Sequence, residues 1–159
     1  MNDVVIESQR PDAPEATQLI LELEAVLDPL YPPTSRHGFS IEKLLREDVP
    51  FFVVRHKGTA AGCGGIKFFD AAEHDEVAYG ELKRMYVRPQ FRGLGLGTRL
   101  LEHLADYARN SGVHVLRLET GIHQTAAIRM YERWGFVQIS PFGAYKVDPL
   151  SLFYERRLD

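Results

Sequence analysis

A glycine-rich run from Arg92 to Gly97, with the sequence RGLGLG, is the segment that most clearly indicates a chemical role. It stands between a strand-like segment, which Pro89 ends, and an amphipathic segment that predicts a helix. Glycines let the backbone approach a ligand closely, and the first N–H groups of a helix have no partner inside it. Because these donors lie at the positive end of the helix dipole, the run predicts a binding site for a phosphate or pyrophosphate.

The run does not match two common phosphate-binding motifs. A P-loop requires a lysine directly after its last glycine, and no lysine follows Gly97. The dinucleotide fingerprint G-x-G-x-x-G also fails, because Thr98 stands three residues after Gly95. A glycine-rich turn by itself can also be a plain tight turn, so the choice depends on the segments around it.

The hydrophobic pattern predicts an alternating α/β chain in the order β-α-α-β-β-β-α-β-α-β-β. The predicted strands cover residues 4–8, 50–57, 60–69, 77–87, 113–119, 137–139 and 152–157. Gly58 and Thr59 are expected to form the hairpin turn between the second and third strands.

Four helices are predicted around these strands. Asp12 is expected to cap the first helix, whose buried stripe extends as far as Val26 and Leu27, and Ser40 is expected to cap a short second helix. The third helix follows the glycine-rich run, and the fourth covers residues 125–134.

Bulk composition indicates one domain over residues 1–159 and narrows the classes of partner. The hydrophobic content of 45% and the charged content of 26% are typical of a globular domain. A net charge of −3 gives no polybasic field, so neither nucleic acid nor a membrane is expected as a partner. The single Cys63 excludes an internal disulfide, and together with an N-terminus unlike a signal peptide it predicts a cytoplasmic protein.

The segment from Glu81 to Phe136 resembles motifs A and B of the GNAT superfamily of N-acetyltransferases. In that family, motif A is a strand followed by [QR]-x-x-G-x-[GA] and a helix, and RGLGLG matches it in full. Motif B commonly reads N-x-x-A-x-x-L-Y-x-x-x-G-F, and residues 124–136 read QTAAIRMYERWGF. The departures are Gln124 for Asn and Met130 for Leu. The resemblance implies a GNAT fold of the α/β (α+β) class, with a mixed, mostly antiparallel central sheet flanked by about four helices.

The resemblance also implies acetyl-CoA as the co-substrate, without a metal, in a V-shaped opening between the fourth and fifth strands. The pyrophosphate would be held by Arg92 and by the main-chain N–H groups of Gly93, Leu94, Gly95, Leu96, Gly97 and Thr98. The strand residues Met85, Tyr86 and Val87 would bond the pantetheine arm in the manner of an added strand. Gln124 would contact the pantetheine amide or a CoA phosphate.

Acetyl transfer to an amine requires the ammonium to lose a proton, at a cost of roughly 4.6 kcal/mol at pH 7 for a lysine-like amine. Glu81 is the candidate base, because it stands where histone-acetylating members of the family carry a catalytic glutamate; Glu119 and an ordered water are alternatives. Tyr131 stands where family members place a tyrosine that donates to the CoA sulfur. The alternative for Tyr131 is a core tyrosine packed beside Ile128.

The sequence therefore predicts an acetyl-CoA-dependent N-acetyltransferase that acts on the primary amine of a small molecule by direct attack in a ternary complex. A carboxylate on the acceptor could meet Arg36, His37 and Lys146. A cationic protein tail could instead be attracted by Glu73, Asp75 and Glu76. The alternatives are a protein lysine or N-terminal acetyltransferase and a non-catalytic acyl-CoA-binding module, while a longer acyl donor and a homodimer stay open.

Overall fold

The computed structural model describes residues 3–37, 39–72 and 76–159. In chain order its strands and α-helices are β1 (Val4–Ser8), α1 (Pro14–Leu27), α2 (Ile41–Arg46), β2 (Phe51–His56), β3 (Thr59–Phe69), β4 (Tyr79–Val87), α3 (Leu96–Asn110), β5 (Val115–Gly121), α4 (Thr125–Arg133), β6 (Val137–Ile139) and β7 (Ser151–Arg157). This order confirms the predicted one. Two single turns of 3-10 helix, at Pro33–Ser35 and Pro89–Phe91, were not predicted.

The strands form one mixed sheet in the order β1-β2-β3-β4-β5-β7-β6. Every neighbouring pair is antiparallel except β4 and β5, which run parallel. Within the described chain these two strands pair only at Gly80 with Leu116 and at Glu81 with Arg117. Beyond Glu81 they separate, so the sheet splays between the fourth and fifth strands, as the resemblance implies.

The hairpin between β2 and β3 turns one residue earlier than predicted. Its central residues are Lys57 and Gly58, with φ angles of +50° and +83°, and Thr59 is already the first residue of β3. Two central residues with positive φ are typical of the type I′ turn, whose twist matches that of the flanking strands.

Helix α1 begins at Pro14 without the predicted cap. The N-cap position is Ala13, and no side chain caps the helix; the carboxylate of Asp12 pairs with Arg10 instead, at 3.0 Å. The fixed φ of Pro14 suits a first helical turn, and its missing N–H would have no helix partner anyway. The buried stripe is also shorter than predicted, because Val26 is 38% exposed. The predicted cap of α2 is confirmed: the N–H of Lys43 donates to Ser40 Oγ at 3.1 Å.

Two apolar cores lie on the two faces of the sheet, because successive side chains of a strand point to opposite faces. Phe52 joins a core that contains α3 residues such as Leu100 and Leu104, whereas Phe51 and Val53 join a core that contains α1 residues. The sheet is therefore covered by α3 and α4 on one face and by α1 and α2 on the other. None of the helices in the described ranges is long and apolar enough to cross a lipid bilayer.

Candidate active site

The glycine-rich run forms the turn that leads into α3. Gly93 and Gly95 have φ angles of +82° and +76°, and Gly95 occupies the N-cap position of the helix. An added Cβ would meet no atom within 4 Å at either position, so there is room for a side chain. Glycine is favoured here because the backbone is left-handed. The N–H of Arg99 is the first to donate back to the turn, to the Gly95 carbonyl at 3.0 Å. The N–H groups that precede it at the helix start are therefore available to an anion.

Gly97 joins the two sequence motifs in space. A Cβ at this position would lie 2.4 Å from Met130 Sδ in α4 and 3.9 Å from Val87 Cγ2 at the end of β4. The small residue thus lets the start of α3 approach both motif B and the strand that precedes the turn.

A β-bulge in β4 lies beside the opening in the sheet. Between the pairs Gly65–Lys83 and Cys63–Tyr86, β4 contains one residue more than β3, and Arg84 there has a φ angle of +56°. After the bulge, Tyr86 and Val87 pair with β3 on one edge. Within the described chain β5 pairs with β4 no further than Glu81, so the other edge of Met85–Val87 faces the opening. A bulge of this kind bends the strand and re-aims its side chains.

A cavity of about 310 Å³ occupies the opening. Its walls come from α1, the loop after it, β4, β5 and α4. Among the residues predicted from sequence, Met85, Gln124 and Tyr131 line it, and so does the alternative base Glu119. The predicted base Glu81 is not part of its wall.

Glu119 is held in the cavity wall by Ser151, whose Oγ donates to Oε2 at 2.8 Å. Burial raises the pKa of Glu119, while the Ser151 bond and the nearby side chains of His37 and Lys83 oppose that shift. The carboxyl group therefore binds a proton more readily than a glutamate in water does.

Glu81 lies instead in a buried ion pair. It is 3% exposed, and its Oε2 accepts hydrogen bonds from Lys83 Nζ at 2.8 Å and from the Tyr145 hydroxyl. Lys83 Nζ also donates to the Tyr145 hydroxyl at 3.0 Å. Alternation along β4 explains the placement: Glu81 and Lys83 share one face of the strand, whereas Leu82 faces the cavity.

Tyr131 is 5% exposed, and its ring packs edge-on against Phe136 in the core. Its hydroxyl has no hydrogen-bond partner among the described residues, although the side chain lines the cavity. Burial raises the pKa of Tyr131, and the negative charge of Glu119 raises it further. The side chain thus packs in the core, as one of the two alternatives from sequence has it, and it also lines the cavity.

Tyr31 also lines the cavity, although it was not among the residues predicted from sequence. Its hydroxyl donates to Gln124 Oε1 at 3.1 Å and accepts from the His123 N–H at 3.0 Å. A Cβ at Gly121 would lie 2.0 Å from Tyr31 Oη, so only glycine fits below the ring. An aromatic residue in a proline-rich stretch was the only available signal.

The cationic side of the cavity differs in part from the predicted one. Arg36 and His37 line the wall, whereas Lys146 is exposed and is not part of it. Arg84, which the sequence did not single out, also lines the wall. Of the acidic residues proposed to attract a protein tail, Glu76 is exposed, while residues 73 and 75 lie outside the described ranges.

Cys63 is a buried structural residue whose thiol is chemically unreactive. Its side chain is fully buried, its thiol donates to the Arg84 carbonyl at 3.3 Å, and burial raises its pKa to about 12. Over the described ranges, no three His, Cys, Asp or Glu side chains are grouped so that they could hold a metal ion.

Comparison with known proteins shows that this chain is similar to acetyltransferases. The acetyltransferase (GNAT) family model matches residues 15–136. Over 158 residues the chain is 44% identical to a protein named IAA acetyltransferase from Azospirillum brasilense, covering 99% of this chain and 100% of the relative. A Klebsiella pneumoniae structure described as an acyl-CoA N-acyltransferase superposes with a TM-score of 0.77 at 37% identity, over 98% of both chains. N-acetylglutamate synthase from Neisseria gonorrhoeae, complexed with coenzyme A and N-acetyl-glutamate, superposes with a TM-score of 0.75 at 27% identity, over 100% of this chain and 36% of that one.

Proposed function

The chain belongs to the GNAT family of N-acetyltransferases, and we propose that it transfers the acetyl group of acetyl-CoA to the primary amine of a small molecule. The observation that carries this proposal is the cavity between β4 and β5, which is lined by Glu119 of β5 and Tyr131 of α4. The small-molecule acceptor is favoured over a protein tail because the cavity is small, about 310 Å³, and is lined by paired charges.

The residues present fit acetyl-CoA, whose thioester supplies an activated acetyl group. Left-handed glycines at 93 and 95 shape a turn whose free N–H groups can hold a pyrophosphate, at roughly 1.5–3 kcal/mol for each bond to a charged oxygen. Among the described residues no strand pairs with the edge of Met85–Val87 that faces β5, so this edge can offer main-chain groups to a pantetheine amide. One of these groups, the Val87 carbonyl, accepts a hydrogen bond from Arg92 Nε at 3.1 Å. The Neisseria structure, with coenzyme A bound to the same fold at 27% identity, supports this assignment.

For deprotonation we favour Glu119 over Glu81. Glu119 lies in the cavity wall, and Ser151 occupies only one of its two oxygens. Its raised pKa makes it a better proton acceptor than an ordinary glutamate. Glu81 is engaged by Lys83 and Tyr145, and a proton would need a further relay, such as ordered water, to reach it.

Tyr131 is proposed to donate a hydrogen bond to the sulfur as the thiolate leaves. Full proton transfer from it would be uphill, because its pKa is raised above the ordinary value of about 10, whereas a thiol has a pKa near 8.5. A hydrogen bond that strengthens as negative charge develops is sufficient to stabilise the leaving group. Attack is direct, since Cys63 is buried with a raised pKa and does not line the cavity.

The proposal is tested by thiol release from acetyl-CoA in the presence of a panel of small amines, protein lysine tails and peptide N-termini. Amine-dependent thiol release with a small molecule as the best acceptor supports it. Tight binding of acetyl-CoA without thiol release for any acceptor would instead identify a non-catalytic acyl-CoA-binding module. Release that is best with a protein tail would move the acceptor to that class.

A further inference from the structure

We infer that Arg84, with Arg36 beside it, forms a carboxylate-binding subsite in the cavity, so that the acceptor is a free amino acid. This inference rests on the proposed function, because it names the acceptor whose amine is acetylated. The carboxylate would lie at the α1 side of the cavity and the amine at Glu119 on β5.

Arg84 is a buried guanidinium with an unused donor group. The side chain is 5% exposed, its Nε donates to the Phe39 carbonyl at 2.8 Å, and its Nη2 donates to Glu24 Oε1 at 2.7 Å. The third nitrogen, Nη1, has no hydrogen-bond partner among the described residues and is not sealed from the cavity that Arg84 lines. A planar guanidinium with its other donors fixed is well suited to bind a carboxylate.

The backbone is strained where it presents this side chain. Arg84 has a φ angle of +56° at the β4 bulge, a conformation that is unfavourable for a residue with a Cβ. Regular alternation would put Arg84 on the face opposite Lys83, but the bulge brings both side chains to the α1 side of the sheet, where both contact Phe39. In this position Arg84 reaches Glu24 and lines the cavity.

A second cation lies close to Arg84. Burial lowers the pKa of Arg84, Glu24 opposes the shift, and the positive charge of Arg36 lowers it further. Arg36 also lines the cavity and pairs with Asp28 on its outer side. Two guanidinium groups that repel each other across one wall are stabilised when an anion binds between them.

The charges of the wall match a zwitterion. Arg84 and Arg36 are balanced by Glu24 and Glu119, so the wall has equal numbers of cations and anions apart from His37. Arg84 of β4 pairs with Glu24 of α1, Arg36 lies in the loop after α1, and Glu119 lies on β5. Because Glu81 pairs with Arg117, Arg84 and Thr120 are each three residues further along their strands. Arg84 and Glu119 therefore lie beyond the last pair of the two strands that flank the opening, and both line the cavity.

The test compares matched acceptors by thiol release from acetyl-CoA. The panel contains free α-, β- and γ-amino acids, the carboxamide of each, and the amine left after decarboxylation. We expect the best free acid to exceed its carboxamide in kcat/KM by on the order of 100-fold, as for loss of a charged hydrogen-bonded pair. If carboxamides or simple amines are acetylated equally well, or no free acid is acetylated while another amine is, the subsite is wrong and the proposed function stands. If no acceptor releases thiol, both fail.

Variants separate recognition from folding. The pair Arg84→Met with Glu24→Gln removes the ion pair without leaving a buried charge, and should raise KM for the acid about 100-fold while the carboxamide changes little. Arg84→Lys should restore part of the preference, and the more exposed Arg36→Gln should lower it about tenfold even if the Arg84 variants fold poorly. Arg88→Met, which breaks the comparable pair with Glu22 outside the cavity, is the matched control. Equal losses for acid and carboxamide in the Arg84 and Arg36 variants would overturn the inference.

Discussion

Ser151 Oγ donates a 2.8 Å hydrogen bond to Glu119 Oε2, and so a residue at the start of β7 orients the carboxyl group on the cavity wall of β5. The two strands pair at Glu119–Phe153 and at Gly121–Ser151. Ser151 is therefore two residues from the partner of Glu119, and its side chain lies on the same face of the sheet as the carboxylate. The bond fixes one oxygen and leaves the other for an amine. Because burial outweighs this bond, the pKa of Glu119 is still raised.

Replacing Glu119 by Gln should lower kcat on the best acceptor by about 100-fold or more and remove the acid limb of the pH profile. In the wild-type protein the base is active only when ionised, so activity should fall as the pH drops through the raised pKa of Glu119. The measurement is kcat/KM as a function of pH. Glu81→Gln is the comparison variant: if it removes the acid limb and Glu119→Gln keeps it, the base is Glu81.

The same substitution should make the protein more stable at neutral pH. Burial raises the pKa of Glu119, so the folded protein binds this proton more tightly than the unfolded chain does. The stability that the group contributes is therefore complete below its unfolded pKa and is lost as the pH rises through its folded pKa. Glu119→Gln stays neutral and should show a higher Tm than wild type near pH 7.5 and the same Tm near pH 4. An equal gain at both pH values would assign the effect to packing.

Tyr131→Phe should reduce kcat roughly 10- to 100-fold, because a hydrogen bond to a developing thiolate contributes roughly 1.5–3 kcal/mol. Affinity for acetyl-CoA, measured by calorimetry, should change little, since the bond is made mainly as the thiolate forms. Tyr107→Phe is the matched control, because Tyr107 packs against Phe52 and Phe68 away from the cavity. Full activity of Tyr131→Phe would leave this tyrosine with a packing role only.

The elements and the glycine turn could be predicted because their signals are local. Gly95 needs a left-handed backbone, Ser40 caps its own helix, and the stripe of α3 follows from helical periodicity. The cavity wall could not be predicted in the same way. Tyr31 bonds Gln124, 93 residues away, and Glu81 bonds Tyr145, 64 residues away.

Arg84 shows most clearly where local reasoning ends. Arginine has no preference for a positive φ, and a regular strand would have put its side chain on the face opposite Lys83, whereas both side chains contact Phe39 on the α1 side. The bulge that re-aims it depends on the register between β3 and β4 and on the carbonyl of Phe39, 45 residues earlier. The position of such a side chain follows from the pairing of the strands and not from the local sequence.

The glycine turn itself is tested by two substitutions at the opposite ends of α3. Gly95 and Gly112 have nearly equal φ angles, +76° and +78°, and an added Cβ meets no atom within 4 Å at either position. Alanine should therefore impose a similar backbone cost at each, roughly 1–2 kcal/mol, and lower Tm by similar amounts. Only Gly95→Ala disturbs the N–H groups at the start of the helix, so it should weaken acetyl-CoA binding by more than about tenfold in calorimetry, whereas Gly112→Ala should leave it unchanged. If both variants bind acetyl-CoA as wild type does, the pyrophosphate is held elsewhere.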